Sequence, residues 1–130
     1  MKKYRYSSNP DDYYKNGIEK YELKDYAGAL SDFTIAIEMM PEMAEAYYSR
    51  GLLYGKEFHK YKKAIKDFTK AIKLKPDYAE AYYNRGVTYR ILDDIKNSCE
   101  DWKKARELGY KDADFLIEKY CNKFKQVETS

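Results

Sequence analysis

Along this chain the order of apolar and polar residues repeats itself. Ala44-Glu45-Ala46-Tyr47-Tyr48-Ser49-Arg50-Gly51 returns 35 residues later as Ala79-Glu80-Ala81-Tyr82-Tyr83-Asn84-Arg85-Gly86, and only Ser49 and Asn84 differ. Ala64-Ile65-Lys66-Asp67-Phe68-Thr69-Lys70-Ala71-Ile72 echoes Ala29-Leu30-Ser31-Asp32-Phe33-Thr34-Ile35-Ala36-Ile37 at the same offset. Two separate echoes at one spacing mark an internal repeat, the signature of an array of supersecondary units. Ala, Glu and Lys favour helix throughout, and Pro41 and Pro76 stop the second helix of their units. The pattern predicts helices over 11–23, 26–39, 44–56, 60–74, 79–91, 94–108 and 113–125. Asn9-Pro10 supplies a capping residue and a proline just inside the first of them.

Three hairpins follow, over residues 10–43, 44–78 and 79–112, the second with one extra residue near Lys56–Lys60. The last predicted helix belongs to no fourth unit. It carries Phe115, Leu116, Ile117, Tyr120, Cys121 and Phe124 on one stripe, with Asp114, Glu118, Lys119, Asn122 and Lys123 polar. A stack leaves its final apolar face bare unless something covers it, so residues 113–130 read as a capping helix and tail. The alternative is a surface for self-association. Residues 1–9 and 126–130 read as flexible ends, and the whole as one domain.

The middle unit presents Tyr47, Arg50-Gly51, Tyr54, Ala64, Phe68, Ala71 and Pro76. The third presents Tyr82, Arg85-Gly86, Tyr89, Trp102 and Ala105, and the first Tyr13, Gly17, Ala29, Phe33, Ala36 and Pro41. This pattern resembles the tetratricopeptide repeat family over about residues 10–112. The resemblance implies an all-α, right-handed superhelical solenoid of three helix-turn-helix hairpins with a C-terminal capping helix. Small residues (Gly17, Gly51, Gly86, Ala29, Ala64) let paired helices approach, and Phe33, Phe68 and Trp102 fill the gap between hairpins. Departures from the family pattern are Lys20 in place of a tyrosine, which predicts a looser first helix, Ser98 for alanine, and Tyr110 for the closing proline.

The resemblance also implies a groove lined by the first helix of each hairpin. Its second places hold Asp11, Glu45 and Glu80, and its fifth Tyr14, Tyr48 and Tyr83. Its sixth places hold Lys15, Ser49 and Asn84, and its ninth Ile18, Leu52 and Val87. The expected peptide-binding residues are therefore Tyr14, Ile18, Glu45, Tyr48, Ser49, Leu52, Glu80, Tyr83, Asn84 and Val87. Tyrosine offers contact area with a polar tip, so such a surface suits a protein or peptide with apolar anchors, and the acidic row suits basic flanks. Ser49 and Asn84 are expected to hydrogen-bond a ligand backbone. Tyr47 and Tyr82, by contrast, read as core. Some family members clamp the C-terminal carboxylate of heat-shock chaperones with lysine, asparagine and arginine. The matching places here hold Tyr14, Ile18, Ser49, Glu80 and Asn84, with no basic residue, which argues against that activity.

Charge sharpens the picture. Of 130 residues 36% are charged and 17% aromatic, with 16 tyrosines, far too many large apolar groups for a disordered chain. The net charge of +3 is unremarkable, but it is polarised. Residues 10–43 carry 3 basic and 8 acidic side chains, residues 44–78 carry 9 and 4, and residues 79–112 carry 7 and 7. Lys60, Lys62, Lys63, Lys66, Lys70, Lys73 and Lys75 fall on a second helix, on the outer side of such a stack. The 35-residue period also matches the RNA-binding pentatricopeptide repeats. A solvated helix face is the first reading of these lysines. An acidic partner or a nucleic acid there, with steep salt dependence, is the competing one.

Little supports catalysis. His59 is the sole histidine and falls in the lengthened turn, and no glycine-rich phosphate loop occurs. No cofactor, metal or small-molecule substrate is expected. Cys99 and Cys121, the only cysteines, form no CxxC motif and read as half-buried packing groups in a reducing compartment, hence a cytoplasmic chain. A disulfide between them is the alternative. No run of 18 apolar residues would cross a membrane. The functional expectation is a non-catalytic scaffold or adaptor, monomeric or weakly self-associating. Its competitor is a scaffold assembling through its end faces at Phe115, Ile117 or Met39–Met43.

Overall fold

Asn9 opens the first helix by accepting the Asp11 N–H on its side-chain oxygen at 2.9 Å, with Pro10 in the first turn, where a missing N–H leaves no bond unmade. The computed structural model describes residues 8–122. Within them the chain runs as α1 Pro10–Glu22, α2 Tyr26–Met39, α3 Ala44–Leu52, α4 Tyr61–Leu74, α5 Ala79–Ile91, α6 Ile95–Glu107 and α7 Ala113–Leu116, with no strand among the described residues. α1 pairs with α2, α3 with α4 and α5 with α6, and each pair docks on the next as a helical solenoid. Residues 1–7, the end of the last predicted helix (123–125) and the predicted tail 126–130 lie outside the described residues.

The expected helix over 44–56 is not uniform. After α3 the chain widens into a π turn, Leu53–Glu57, with Phe58 N–H donating to Leu53 O at 3.2 Å. The extra residue of the second hairpin is thus absorbed inside the helix end. A π turn is the usual way a helix takes up one residue without losing its axis. The hairpin turns share another feature: Lys24, His59 and Asp93, one per hairpin, have φ of 65°, 54° and 65°. Each adopts left-handed backbone without being glycine, at a cost of about 1 kcal/mol. Asp25 and Asp94 then cap α2 and α6, accepting the N–H groups of Gly28 at 3.0 Å and Asn97 at 3.2 Å.

The large residues Phe33, Phe68 and Trp102 are fully buried, but they fill the space inside each hairpin rather than between hairpins. A Cβ on Gly51 would lie 2.8 Å from Phe68 Cε1, so only glycine lets α3 and α4 close on that ring. The seams between hairpins are sealed by a different set, with Tyr13, Ile37, Met43, Tyr47 and Tyr78 in one buried cluster. Tyr47 is therefore core, whereas Tyr82 is only half-buried, packed against the cluster around Trp102.

Each hairpin also buries an aspartate that the sequence reading passed over. Arg50 donates from Nε and Nη2 to Asp67 at 2.8 and 2.9 Å and from Nη1 to Thr34 at 3.3 Å, joining α3 to its own partner and to the preceding hairpin. Arg85 repeats this with Asp101, twice at 2.8 Å, and with Thr69 at 3.0 Å. In the first hairpin Asn16 stands at the arginine place, and Lys20 supplies the cation from the next turn, 2.9 Å from fully buried Asp32. The lysine expected to loosen α1 therefore neutralises a buried carboxylate.

The final helix covers the stack as expected, with Ala113 and Ile117 buried against Trp102 and Ala105, and continues from α7 as a second π turn, Ile117–Cys121. Phe115 does not share that face: it is 67% exposed. Phe124 lies outside the described residues. Cys99 and Cys121 are not separate thiols; they are buried and joined as a disulfide with Cα atoms 5.7 Å apart. α6 and the last turn of the cap each put one sulfur into the same small gap, which sequence separation alone does not reveal. The bond spans 22 residues, and closing a loop of that length is worth about 3 kcal/mol in the chain-entropy account. Cys99→Ser/Cys121→Ser is expected to lower unfolding free energy in urea by about that amount. An unchanged midpoint would show that packing alone holds the cap.

Candidate functional site

The face formed by α1, α3 and α5 carries the residues expected to bind. Their placement separates them into two sets. Ile18, Leu52 and Val87 are half-buried and stand beside open dents in that face. Ile18, Ser49 and Leu52 line a shallow one of about 100 Å³ between α1 and α3, above Tyr21 and Phe33. Leu52, Asn84 and Val87 line a larger one of about 280 Å³ between α3 and α5, with Phe68 and Thr88. A pocket of that size takes a branched aliphatic or aromatic side chain. Glu45 and Glu80 are exposed, each beginning its helix.

Tyr14, Tyr48 and Tyr83 line neither dent; they are tied into the stack. Tyr14 Oη is 3.4 Å from Ser49 Oγ, and Asn84 Nδ2 donates to Tyr48 Oη at 3.0 Å, so the fifth place of one hairpin meets the sixth place of the next. Tyr48 also packs on Phe68 and Tyr78, with ring centroids 5.8 and 4.9 Å away, and Tyr83 packs on Tyr110 at 4.8 Å. Burial, with the Glu80 carboxylate nearby, pushes the Tyr48 phenol up to about 12, so it keeps its proton. Burial and the neighbouring Tyr48 phenol push Tyr78 up as well.

Ser49 and Asn84 were expected to meet a ligand backbone. Asn84 spends both amide hydrogens inside the protein, on Tyr48 and on the Glu80 carbonyl at 3.0 Å. Its carbonyl oxygen is what it can offer a ligand, as an acceptor.

The far wall of the larger dent does not follow from the repeat pattern. Gly55, Lys56 and His59 come from the π turn and the lengthened loop, and Tyr61 and Ile91 complete the rim. His59, read as a bland loop residue, is exposed but oriented, its Nδ1 3.0 Å from Tyr61 Oη. The one-residue insertion was the available signal, because an inserted residue at a helix end changes what the neighbouring groove contains.

Comparison with known proteins agrees with this architecture. Family patterns described as tetratricopeptide repeat match residues 14–54 and 79–108, and one described as TPR repeat matches residues 60–90. Among solved structures, MamA superposes with a TM-score of 0.76 at 28% identity, covering 82% of this chain and 62% of MamA. This chain thus spans less than two thirds of MamA. The second repeat domain of Spaghetti (RPAP3), solved with the HSP90 peptide SRMEEVD, gives a TM-score of 0.74 at 25% identity, covering 77% of this chain and 92% of that domain. The first repeat domain of the same protein, with the same peptide, gives 0.84 at 20% identity over 92% and 95%, a likeness of fold alone. No curated protein matches the sequence. A stack of helical hairpins with an open inner face defines a protein-interaction module. The chain belongs to the tetratricopeptide repeat family.

Proposed function

We propose that the α1–α3–α5 face binds a peptide segment of a partner protein, through apolar anchors flanked by basic residues. The observation that carries this is the row Ile18, Leu52 and Val87 bordering two open dents, with exposed Glu45 and Glu80 at the helix starts on the same face. An anchor side chain enters between α3 and α5, and its backbone N–H meets the Asn84 side-chain oxygen. The helices are already packed, so the ligand bears most of the ordering loss. Tyr14 and Tyr48 serve by holding the hairpins in register, and Tyr83 by packing on Tyr110, rather than by forming the dents. The peptide SRMEEVD bound by the Spaghetti domains is acidic at its end, and Glu80 disfavours such a carboxylate here.

Binding of this kind involves no catalytic residue and no cofactor. Residence in the cytoplasm rested on unpaired thiols, and the joined Cys99–Cys121 pair suits an oxidising setting better.

Selection of random peptides on the immobilised protein tests the groove. Enriched peptides are expected to combine a Leu, Ile or Phe anchor with nearby Lys or Arg. Val87→Asp and Glu45→Lys/Glu80→Lys are each expected to weaken them about tenfold or more, with circular dichroism unchanged. Equal affinity for both variants would remove the groove from the binding site. Exposed Phe115, Met39 and Met40 favour one rival reading, assembly through end faces. Buried Ile117 and Met43 are not available for it. Concentration-dependent mass without ligand, lost in Phe115→Ser, would support that rival.

A further inference from the structure

The outer side of the second hairpin holds a second cleft, of about 560 Å³, between α3 and α4. Tyr47 lines it from α3 and Tyr54 from the π turn that follows, and Lys63, Lys66, Lys70 and Lys73 from α4. Its one carboxylate, Asp67, is already matched by Arg50 through two hydrogen bonds. The four lysines are exposed, and none makes an ion pair among the described residues. Lys63 lies over the Tyr54 ring at 5.5 Å and Lys70 over Tyr47 at 6.0 Å, so both cations lean into the cleft.

The repeat itself supplies a control. The equivalent places are Gly28, Ser31, Ile35 and Glu38 on α2, and Asn97, Glu100, Lys104 and Glu107 on α6. The tyrosine–cation–aspartate arrangement that builds the hairpin does not need lysine at any of them. Placing Lys66 and Lys70 four apart on one helix opposes helix formation slightly through like-charge repulsion. The cleft therefore concentrates positive charge that folding does not use.

We propose that this outer cleft binds a short acidic helix of a partner protein, independently of the inner groove. The lysines are spaced three, four and three residues apart and span about 15 Å along α4. A helix carrying carboxylates at i, i+3, i+7 and i+10 matches that row in either direction, one carboxylate per ammonium. A nucleic acid fits less well. The basic row ends at this hairpin, since Glu38 on one neighbour and Glu100 and Glu107 on the other interrupt any continuous track for a polyanion. The tyrosine rings are also roofed by Arg50 and the lysines, which leaves no open face for base stacking.

The test is fluorescence anisotropy with a labelled, end-capped alanine-based peptide bearing Glu at i, i+3, i+7 and i+10. A peptide of the same composition with its glutamates on the opposite registers and a single-stranded 12-mer DNA serve as comparisons. At about 50 mM salt the patterned peptide is expected to bind, and to weaken by tenfold or more at about 200 mM. Lys63→Ser/Lys66→Ser/Lys70→Ser/Lys73→Ser is expected to weaken it about thirtyfold, at a few-fold per exposed contact. Should that variant misfold, the pairs Lys63→Ser/Lys66→Ser and Lys70→Ser/Lys73→Ser are each expected to lose about fivefold. Three results would overturn the proposal: no binding at low salt, binding indifferent to the lysines or to glutamate spacing, or tighter binding of the DNA. Because none of these variants touches the inner groove, its failure leaves the groove reading standing, and the reverse.

Discussion

Trp102→Ala is expected to lower stability by about 4 kcal/mol, which would move the thermal midpoint down by about 15 °C. Trp102 is fully buried and fills the interior of the third hairpin. A Cβ on Gly86 would stand 2.6 Å from its Nε1, so α5 is shaped to the ring and has no side chain with which to fill the void. The indole also donates to the Tyr83 carbonyl at 3.2 Å, and Tyr120 of the cap sits 5.9 Å from it. Truncation therefore loosens α5, α6 and the cap together. Stability in a repeat array is close to a sum of unit and seam contributions, so the damage should be local. Hydrogen exchange is expected to rise over residues 79–121 and change little over α1 and α2. Trp102→Phe, which installs the ring used in the other two hairpins, is expected to recover all but about 1.5 kcal/mol. A uniform rise in exchange along the chain would show instead that the stack folds as one unit.

Arg85→Met is expected to cost about 3 kcal/mol at neutral pH, the low end for breaking a buried pair, because Arg85 keeps some contact with solvent. What remains is the Asp101 carboxylate, nearly buried and without its two hydrogen bonds. In the intact protein burial pushes the Asp101 carboxyl up while Arg85 pulls it back. With the arginine gone only the upward push is left. A carboxyl whose folded value exceeds its unfolded one destabilises the fold as pH rises between the two, and the penalty fades as pH falls and the group takes a proton. The deficit of Arg85→Met is thus expected to shrink steadily as pH is lowered from 7 towards 4, in urea titrations run beside the parent. Adding Asp101→Leu is expected to restore most of the loss at neutral pH, since a missing pair is tolerated far better than half of one. A deficit independent of pH would assign the loss to the guanidinium's packing on Tyr82 and Tyr89 rather than to the stranded charge.

Both predictions rest on features that differed in how far they could be read beforehand. The recurrence of Ala-Glu-Ala-Tyr-Tyr and of Ala-x3-Phe set the helical hairpins, their order and the unit that repeats, because a helix pair that cannot bury its face alone must stack, and the stack needs the same small and large residues each time. The inner face was implied by the resemblance to tetratricopeptide repeats, whose ninth places hold Ile18, Leu52 and Val87. Period says where a side chain points but not what it meets. Tyr48 and Asn84 belong to the same expected face as Leu52, yet Asn84 donates to the Tyr48 hydroxyl across the seam between hairpins.

The sequence by itself therefore determined the helical hairpins, their number and the cap, all of which follow from local propensity and a short-range pattern. Only the tertiary structure decided the rest. It showed that Lys20 neutralises Asp32 from a different turn, that the extra residue becomes a π turn walling the larger dent, and that Cys99 meets Cys121 across the cap. It also showed that Lys63 and Lys70 of α4 lean over Tyr54 of the π turn and Tyr47 of α3. Each of these joins residues 9 or more positions apart, and such meetings are set by how helices cross and settle against one another. A repeat pattern constrains that within each unit and leaves it open wherever one unit departs from the next.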